Sequence, residues 1–305
     1  MLHRGLLVAS ALLLPCMLFS SAATVQPTGY EGYQVVRVRI TDEHVCAAVE
    51  TLLASDAKIT LESETIGPEF VDLRLTPGAS ARLVELGLTY EVLIEDLQEH
   101  INRLYGVGAD GRDDNFFEYI RTYDEHVQFM RDLVAAYPDL AEMFSLGDSV
   151  EGRPLWALRI TGSSGPNKPG VFYQAAQHGD EPTGASVLAY VADHLLSHYD
   201  TDQEVRWLLD HMEIYLLPIS NPDGYDRNRR KNARGVDLNR NWGGPGAGFA
   251  ADSNPGLHPF SEVETIGFRD FINMHPNIRV HCDVHGYINR LLWPWGHTLA
   301  AVEIV

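Results

Sequence analysis

A histidine and a glutamate stand three residues apart in the segment QHGDEPTG, residues 177–184. Only Gly179 and Asp180 separate His178 from Glu181, so both side chains belong to one tight turn. An imidazole nitrogen and a carboxylate oxygen are both good zinc ligands. The same spacing is common in ordinary surface turns, so a metal site requires a third ligand from elsewhere in the chain.

The candidate for that third ligand is His285, in the segment IRVHCDVHGY. It follows a strand-like run and precedes a glycine, so we expect it at the carboxyl end of a strand. His281 lies four residues earlier, and in a strand this separation is about 13 Å, too far for one ion. We therefore interpret His281 as a packed strand residue. Two imidazoles and one carboxylate leave the fourth zinc position open, as in catalytic zinc sites.

A second group of polar residues lies in the segment NPDGYDRNRRKNARGVDLNRNW, residues 221–242. Asn239, Arg240 and Asn241 place a guanidinium between two amides, and this fork suits bidentate binding of a carboxylate. NPDG, at the start of the segment, is typical of a structural turn. Taken together, the two groups indicate a metal site beside a carboxylate-binding site.

The elements that carry these residues are predicted from the second part of the chain. From Phe116 onward, strand-like runs such as GVFYQAA alternate with amphipathic helical runs, including one from about Thr183 to His198. This alternation predicts an α/β fold, with a mostly parallel or mixed sheet and helices on both faces. Because such sheets bind ligands at the carboxyl ends of their strands, we expect the His–Glu turn and His285 to meet there.

An earlier segment, residues 33–104, predicts a separate small domain. Its runs follow the order β-α-β-β-α-β, which is typical of a small α/β open sandwich. Residues 105–115 are rich in glycine and aspartate and predict a linker. Arg103 and Arg112 would let a trypsin-like protease cut near or within it, although a plain flexible tether explains the composition equally well.

Composition is that of an ordinary globular protein. A length of 305 residues predicts two domains, and 45% hydrophobic with 21% charged residues allow a sizeable core. The formal charge of −19 argues against a nucleic-acid partner, because no basic patch could dominate the field. A net negative charge of this size keeps a protein soluble, and this role is sufficient to explain it.

The first 23 residues, MLHRGLLVASALLLPCMLFSSAA, combine a basic start, an apolar run and small residues. This order predicts a secretory signal peptide cleaved near Ala23. The run is shorter than the about 20 residues of a membrane span, and we predict no other span. Cys16 would leave with the signal, while Cys46 and Cys282 are predicted to be free thiols in separate domains.

HGDE, NPDG, RRKNARGVDLNRNW and VHGYINRLLWPWG together resemble the zinc metallocarboxypeptidases of the carboxypeptidase A and B type, from about residue 33 to the last residue. FVDLRLTPGASARLVELGLTYEVLIEDLQ resembles the activation domain of their proenzymes. The resemblance implies a secreted zymogen that removes C-terminal residues from peptides and proteins, with an activating protease at the linker and no membrane partner. The implied domains are a signal peptide (1–23), an activation domain (33–104), a linker (105–115) and a zinc carboxypeptidase domain (116–305) that lacks its C-terminal part.

The resemblance also implies roles for the metal-site residues. His178, Glu181 and His285 would bind one zinc ion, which activates a water for attack on the last peptide bond. Asp237 would accept a hydrogen bond from His178 and so fix the tautomer of its ring.

The resemblance assigns the substrate-binding residues by position as well. Asn239 and Arg240 would hold the terminal carboxylate of the substrate, and Arg230 would polarise the scissile carbonyl and stabilise the oxyanion. Tyr287 would line the substrate cleft. Asp180 stands where the pancreatic enzymes have arginine, so we expect an altered subsite preference rather than altered chemistry.

The catalytic general base is the main departure from the family pattern. In the family, the general-base glutamate and the tyrosine that closes over the substrate follow far after the residue matching His285, and Glu303 is too near to replace the base. We therefore expect the sequence to be a fragment, inactive by itself, of an active carboxypeptidase. A natural short form that binds zinc and peptide C-termini without turnover and a related zinc deacylase remain alternatives; the activation-like segment and NPDG…NRNW argue against the deacylase.

Overall fold

The computed structural model describes residues 27–62, 69–107, 115–162, 165, 168–243 and 254–286. Within these residues the chain forms two β-sheets, one in each predicted part of the sequence. The signal segment, most of the linker, Tyr287 and Glu303 lie outside the described residues, so what was predicted for them stays a prediction. The described residues contain no helix with the length and apolar character needed to cross a membrane.

The first sheet has four antiparallel strands in the order β2-β3-β1-β4. Its region contains β1 Gln34–Arg39, α1 Glu43–Ser55, β2 Thr60–Leu61, β3 Phe70–Leu75, α2 Ser80–Glu85, β4 Tyr90–Ile94 and α3 Leu97–Leu104. The predicted β-α-β-β-α-β order is therefore present. β2 has two residues. α1 begins after Asp42 because that carboxylate accepts hydrogen bonds from the backbone N–H groups of His44 and Val45.

The second sheet has five strands in the order β5-β6-β8-β7-β9. Its region contains α4 Tyr123–Ala136, β5 Ala141–Asp148, β6 Pro154–Ile160, β7 Gly170–Ala175, α5 Thr183–His198, α6 Gln203–His211, β8 Glu213–Leu217, α7 Pro222–Asp226, α8 Val263–Met274 and β9 Ile278–Val284. β5, β6 and β8 pair antiparallel, whereas β8, β7 and β9 pair parallel. The sheet is therefore mixed, and the predicted α/β class is confirmed.

Three elements of this region were missed in the sequence: β5, α6 and the short helix α7, which was predicted as a turn. β5 is a half-exposed edge strand whose polar and apolar residues do not alternate regularly, so periodicity does not distinguish it from a loop. α6 is short, but Asp202 caps its first turn and Val205 and Leu209 face the core. The aspartate cap followed by this spacing was the available signal.

Helices cover both faces of the second sheet, as predicted. On one face, Leu158, Ile160 and Leu216 are buried in a cluster that includes Leu188 and Leu196 of α5. On the other face, Phe172 and Tyr215 of the strands pack in a cluster with Phe268 and Phe271 of α8. Cys46 and Cys282 are free, as predicted.

The pairing of β7 with β9 brings the two metal-site segments together. These strands are parallel neighbours, with Ala175 opposite Val284 at their carboxyl ends. The His–Glu turn follows the first strand and His285 follows the second, so both leave the sheet at the same edge. A Cβ atom on Gly184 would lie 2.8 Å from the carbonyl oxygen of Val284, so the first turn of α5 needs glycine to pack this closely.

Replacing Leu158 with alanine tests the assignment of the core, because this side chain of β6 is fully buried in the cluster that the strands form with the helices. We expect the free energy of unfolding to fall by about 2–5 kcal/mol, measured by urea denaturation followed by circular dichroism. Val187→Ala is the control, because Val187 is 45% exposed on α5; it should change the same quantity by less than about 0.5 kcal/mol. Equal losses in the two variants would contradict the assignment.

Candidate metal centre

His178, Glu181 and His285 form one compact group. Each residue offers one ligand atom, and these atoms lie within 4.8 Å of one another. Nδ1 of His178 is 2.8 Å from Oε1 of Glu181, and Nδ1 of His285 is 2.9 Å from Oε2 of the same carboxylate. The structure thus brings together the three residues that were selected from the sequence.

Glu181 is the centre of this group. Its carboxylate is buried, and Oε2 also accepts a hydrogen bond of 2.8 Å from the backbone N–H of Gly286. Burial raises the pKa of Glu181, but hydrogen bonds from His178, His285 and Gly286 outweigh burial and hold the pKa well below its usual value. Glu181 is therefore a carboxylate anion at neutral pH, as a metal ligand must be.

The second ring nitrogen of His178 faces Asp237. Nε2 lies 3.3 Å from Oδ1 of Asp237, which is fully buried. Oδ1 also accepts a bond of 3.0 Å from the backbone N–H of Asn239, and Oδ2 accepts one of 2.9 Å from Nε of Arg230. A carboxylate held in this way keeps the proton of His178 on Nε2 and leaves the Nδ1 lone pair for a metal.

Nε2 of His285 also lies beside a carboxylate. It is 2.8 Å from Oδ2 of Asp283 and 3.2 Å from Nδ2 of Asn239. His281, on the same strand, is outside this group: its ring stacks on Phe172 and lies beside Trp242, at centroid distances of 5.1 and 5.4 Å. Each histidine of the group thus has Nδ1 on Glu181 and Nε2 on a different aspartate.

Arg230 lies against the metal-binding atoms. Its Nη1 is 3.2 Å from Nδ1 of His178 and 3.8 Å from Oε1 of Glu181. Arg240 is half-buried and donates from Nη1 to the carbonyl oxygen of Asn239 at 3.2 Å. Within the described part of the chain, no carboxylate lies within ion-pair distance of Arg240, so its guanidinium is available to an anion.

The NPDG segment does more than form the predicted turn, because it begins helix α7 and contacts two other segments of the site. Asn221 caps α7 by accepting a bond from the N–H of Gly224 at 3.0 Å. Its Nδ2 donates to the carbonyl oxygens of Gln177 and Arg230 at 3.2 and 3.3 Å. One buried amide therefore ties the His–Glu turn to the arginine segment. The fixed spacing of an Asn-Pro cap was the available sequence signal.

Gly179 explains how closely these segments pack. A Cβ atom at this position would lie 2.1 Å from the carbonyl carbon of Gly224 and 2.3 Å from the nitrogen of Tyr225. Real Cβ atoms do not approach backbone so closely, so only glycine allows the turn to rest on α7. Packing against α7 thus requires glycine at position 179, directly after His178.

Electrostatics around the group favour a divalent cation. Glu181, Asp237 and Asp283 contribute three negative charges and Arg230 one positive charge, which leaves −2. Burial lowers the pKa of His285, but hydrogen bonds to Asp283 and Glu181 outweigh it and raise the pKa to about 10. In His178, burial likewise lowers the pKa, and Asp237 and Glu181 raise it above its usual value.

The donor atoms fit zinc. One Zn²⁺ ion would balance the charge of −2 that the surrounding side chains leave. Two nitrogens and one carboxylate, with a carboxylate behind each imidazole, match the ligand types and the supporting hydrogen bonds of catalytic zinc sites.

Comparison with known proteins places this geometry in a family. The family model "Zinc carboxypeptidase" matches residues 126–303. The chain belongs to the zinc carboxypeptidase family. Carboxypeptidase A2 of Rattus norvegicus is 34% identical over 304 residues, which cover 88% of this chain and 71% of the rat protein.

Solved structures agree with this zinc carboxypeptidase fold. Thrombin activatable fibrinolysis inhibitor superposes with a TM-score of 0.71 at 20% identity, over 90% of this chain and 76% of that chain. Carboxypeptidase A from Helicoverpa armigera superposes with a TM-score of 0.59 at 25% identity, over 85% of this chain and 70% of that chain. The carboxypeptidase-like fold predicted from the motifs is therefore confirmed.

The raised histidine pKa values predict that zinc binding releases protons. A metal needs neutral imidazoles, and His285 is protonated below pH about 10 in the metal-free protein. Between pH 6 and 8, zinc affinity should therefore rise with pH, by about 10-fold per pH unit for the one proton displaced from His285. Calorimetry in buffers with different protonation enthalpies measures this release directly.

His281→Ala is the matched control for that experiment, because His281 is a neighbouring histidine outside the group. It should leave the proton release unchanged, whereas His285→Ala should lower both the release and the affinity. Zinc binding that is independent of pH would contradict the assigned protonation of the group.

Proposed function

We propose that this protein is a secreted metallocarboxypeptidase, made as a zymogen, that removes the C-terminal residue of peptides and proteins with one zinc ion. The observation that carries the proposal is the compact group of His178, Glu181 and His285, with Arg230 and Arg240 close by in sequence and fold. When bound, zinc supplies a water of lowered pKa as the nucleophile and polarises the carbonyl that is attacked.

Arg230 is proposed to bind the carbonyl oxygen of the scissile bond. Its Nη1 lies 3.2 Å from Nδ1 of His178, the nitrogen that would bind a metal. The bond from Nε to Asp237 keeps the guanidinium in place, so a positive donor would be held where negative charge develops.

Arg240 and Asn239 are proposed to hold the terminal carboxylate. A planar guanidinium binds a carboxylate through two parallel hydrogen bonds, and the one hydrogen bond described for Arg240 is to a backbone carbonyl. Nδ2 of Asn239 lies 3.2 Å from Nε2 of His285, which places this amide beside the candidate metal site.

The general base is proposed to come from outside this group. Glu181, Asp237 and Asp283 all contact its two histidines, so none of the three is free to take a proton from water. Catalysis would need a further carboxylate, as the family resemblance implies.

Secretion and activation rest on the first part of the chain. The order β-α-β-β-α-β of the first sheet supports an activation domain, and α3 ends shortly before the predicted linker. We propose that residues 1–23 direct export and that a trypsin-like protease cuts near Arg103 or Arg112. Edman sequencing of the secreted protein before and after trypsin tests both cuts; an intact N-terminus at Met1 would contradict export by this signal.

Arg240→Ala separates peptide binding from zinc binding. We expect the affinity of the zinc-loaded protein for a fluorescent peptide with a free C-terminus to fall by about 10- to 100-fold, because one charge-assisted bidentate contact is lost. Zinc affinity should stay within about twofold, because Arg240 contacts no metal-binding atom in the described structure.

The same peptide with a C-terminal amide is the ligand control and should bind the unaltered protein as weakly as the free acid binds the variant. Arg229→Ala is the protein control, because Arg229 is exposed in the same arginine-rich segment. Equal losses of zinc and peptide affinity in Arg240→Ala, or equal binding of acid and amide, would contradict the assigned role.

A further inference from the structure

Asp283 and His285 lie on the same side of the chain at the end of β9. Residues two apart in a strand point to the same face of the sheet, and here this places Oδ2 of Asp283 2.8 Å from Nε2 of His285. The family motifs assigned a supporting carboxylate to His178 but none to His285. Asp283 is thus a carboxylate beside the metal site that the resemblance leaves without a role.

The contact of Asp283 repeats the geometry of Asp237. In both pairs, Nδ1 of the histidine faces Glu181 and Nε2 faces an aspartate oxygen. Since a ring nitrogen bound to metal leaves the proton on the other nitrogen, Nε2–H of His285 donates to Asp283. A carboxylate in that position fixes the tautomer and the ring orientation, and raises the basicity of the ligand nitrogen.

Asp283 is itself held by the other metal-binding segment. Nε2 of Gln177, the residue before His178, donates a hydrogen bond to Oδ2 of Asp283. Oε1 of Gln177 accepts a bond of 2.8 Å from Nε1 of Trp242, which fixes the orientation of the amide. Trp242, Gln177 and Asp283 thus form a chain of hydrogen bonds that ends on His285.

A neighbouring residue is available as a further donor. Oδ1 of Asp283 and both polar atoms of the Gln174 side chain are buried without a hydrogen-bond partner among the described residues. Gln174 pairs with Asp283 across the parallel strands β7 and β9, and paired residues point to the same face of a sheet. The two residues that pair across the strands beside His285 thus both have buried polar atoms without a partner among the described residues.

We propose that Asp283 is a positioning residue for the metal centre: it holds His285 so that Nδ1 points at the metal and Nε2 keeps its proton. This inference rests on the proposed binding of zinc by His178, Glu181 and His285. The competing explanation is that Asp283 only stabilises the fold through an ion pair. The two explanations differ in what happens to metal affinity when the fold is unchanged.

The test compares zinc affinities by competition with a chromophoric chelator at one pH. Asp283→Asn should bind zinc about 10- to 100-fold more weakly, as should Asp237→Asn, because each loses a carboxylate behind a metal-binding imidazole. Cobalt(II) replaces zinc in a second measurement, in which a changed visible spectrum reports a changed ligand field that loss of stability alone does not produce.

Two control variants separate positioning from stability and from net charge. Leu158→Ala destabilises the core away from the site, and Asp200→Asn removes one aspartate whose side chain is 89% exposed. Both should keep zinc affinity within about twofold of the unaltered protein and an unchanged cobalt spectrum. An affinity loss in Leu158→Ala as large as that in Asp283→Asn would assign the effect to stability and overturn the proposal.

A double-mutant cycle tests the connection through Gln177. Gln177→Leu should weaken zinc binding, and the same change in the Asp283→Asn background should have no further effect, because its consequence passes through Asp283. Losses that multiply, or an Asp283→Asn variant within about twofold of the unaltered protein while Asp237→Asn is weakened, would overturn the inference. Absence of zinc binding in the unaltered protein would instead contradict the proposed function.

Discussion

The carboxylate of Glu181 lies between two imidazoles, and the rest of the site is arranged around this contact. Its two oxygens reach Nδ1 of His178 and Nδ1 of His285 at 2.8 and 2.9 Å. A buried carboxylate is costly unless charges and hydrogen bonds compensate it. With Asp237 and Asp283 behind the imidazoles, compensation requires two positive charges in addition to Arg230, which one divalent cation would supply.

The fold provides this contact by joining two separate segments. β7 and β9 are parallel neighbours that end at the same edge of the sheet, and the metal-binding residues follow these ends as expected for a site in an open α/β sheet. Gly179 and Asn221 then hold the His–Glu turn against α7 and the arginine segment. The geometry of the candidate metal centre therefore depends on strand pairing and on contacts between backbone segments, in addition to the conformation of the loops.

Local patterns in the sequence were enough to select the three residues that the structure brings together, because their spacing and their place at predicted strand ends are local properties. The same holds for the β-α-β-β-α-β order and for the bounds of α5. The edge strand β5 could not be found, because partial exposure removes its periodicity. Asp283 could not be assigned either, since its role depends on the register of β7 with β9 and on the side-chain orientation of Gln177.

Membership of the zinc carboxypeptidase family and the geometry agree: two imidazoles and one carboxylate form a group that could hold a single metal ion. Zinc K-edge X-ray absorption of the protein loaded with one equivalent of zinc tests this claim most directly. The account predicts nitrogen and oxygen ligands at about 2.0–2.2 Å with the multiple scattering of two imidazoles. A sulfur ligand at about 2.3 Å, or a spectrum without imidazole scattering, would contradict it.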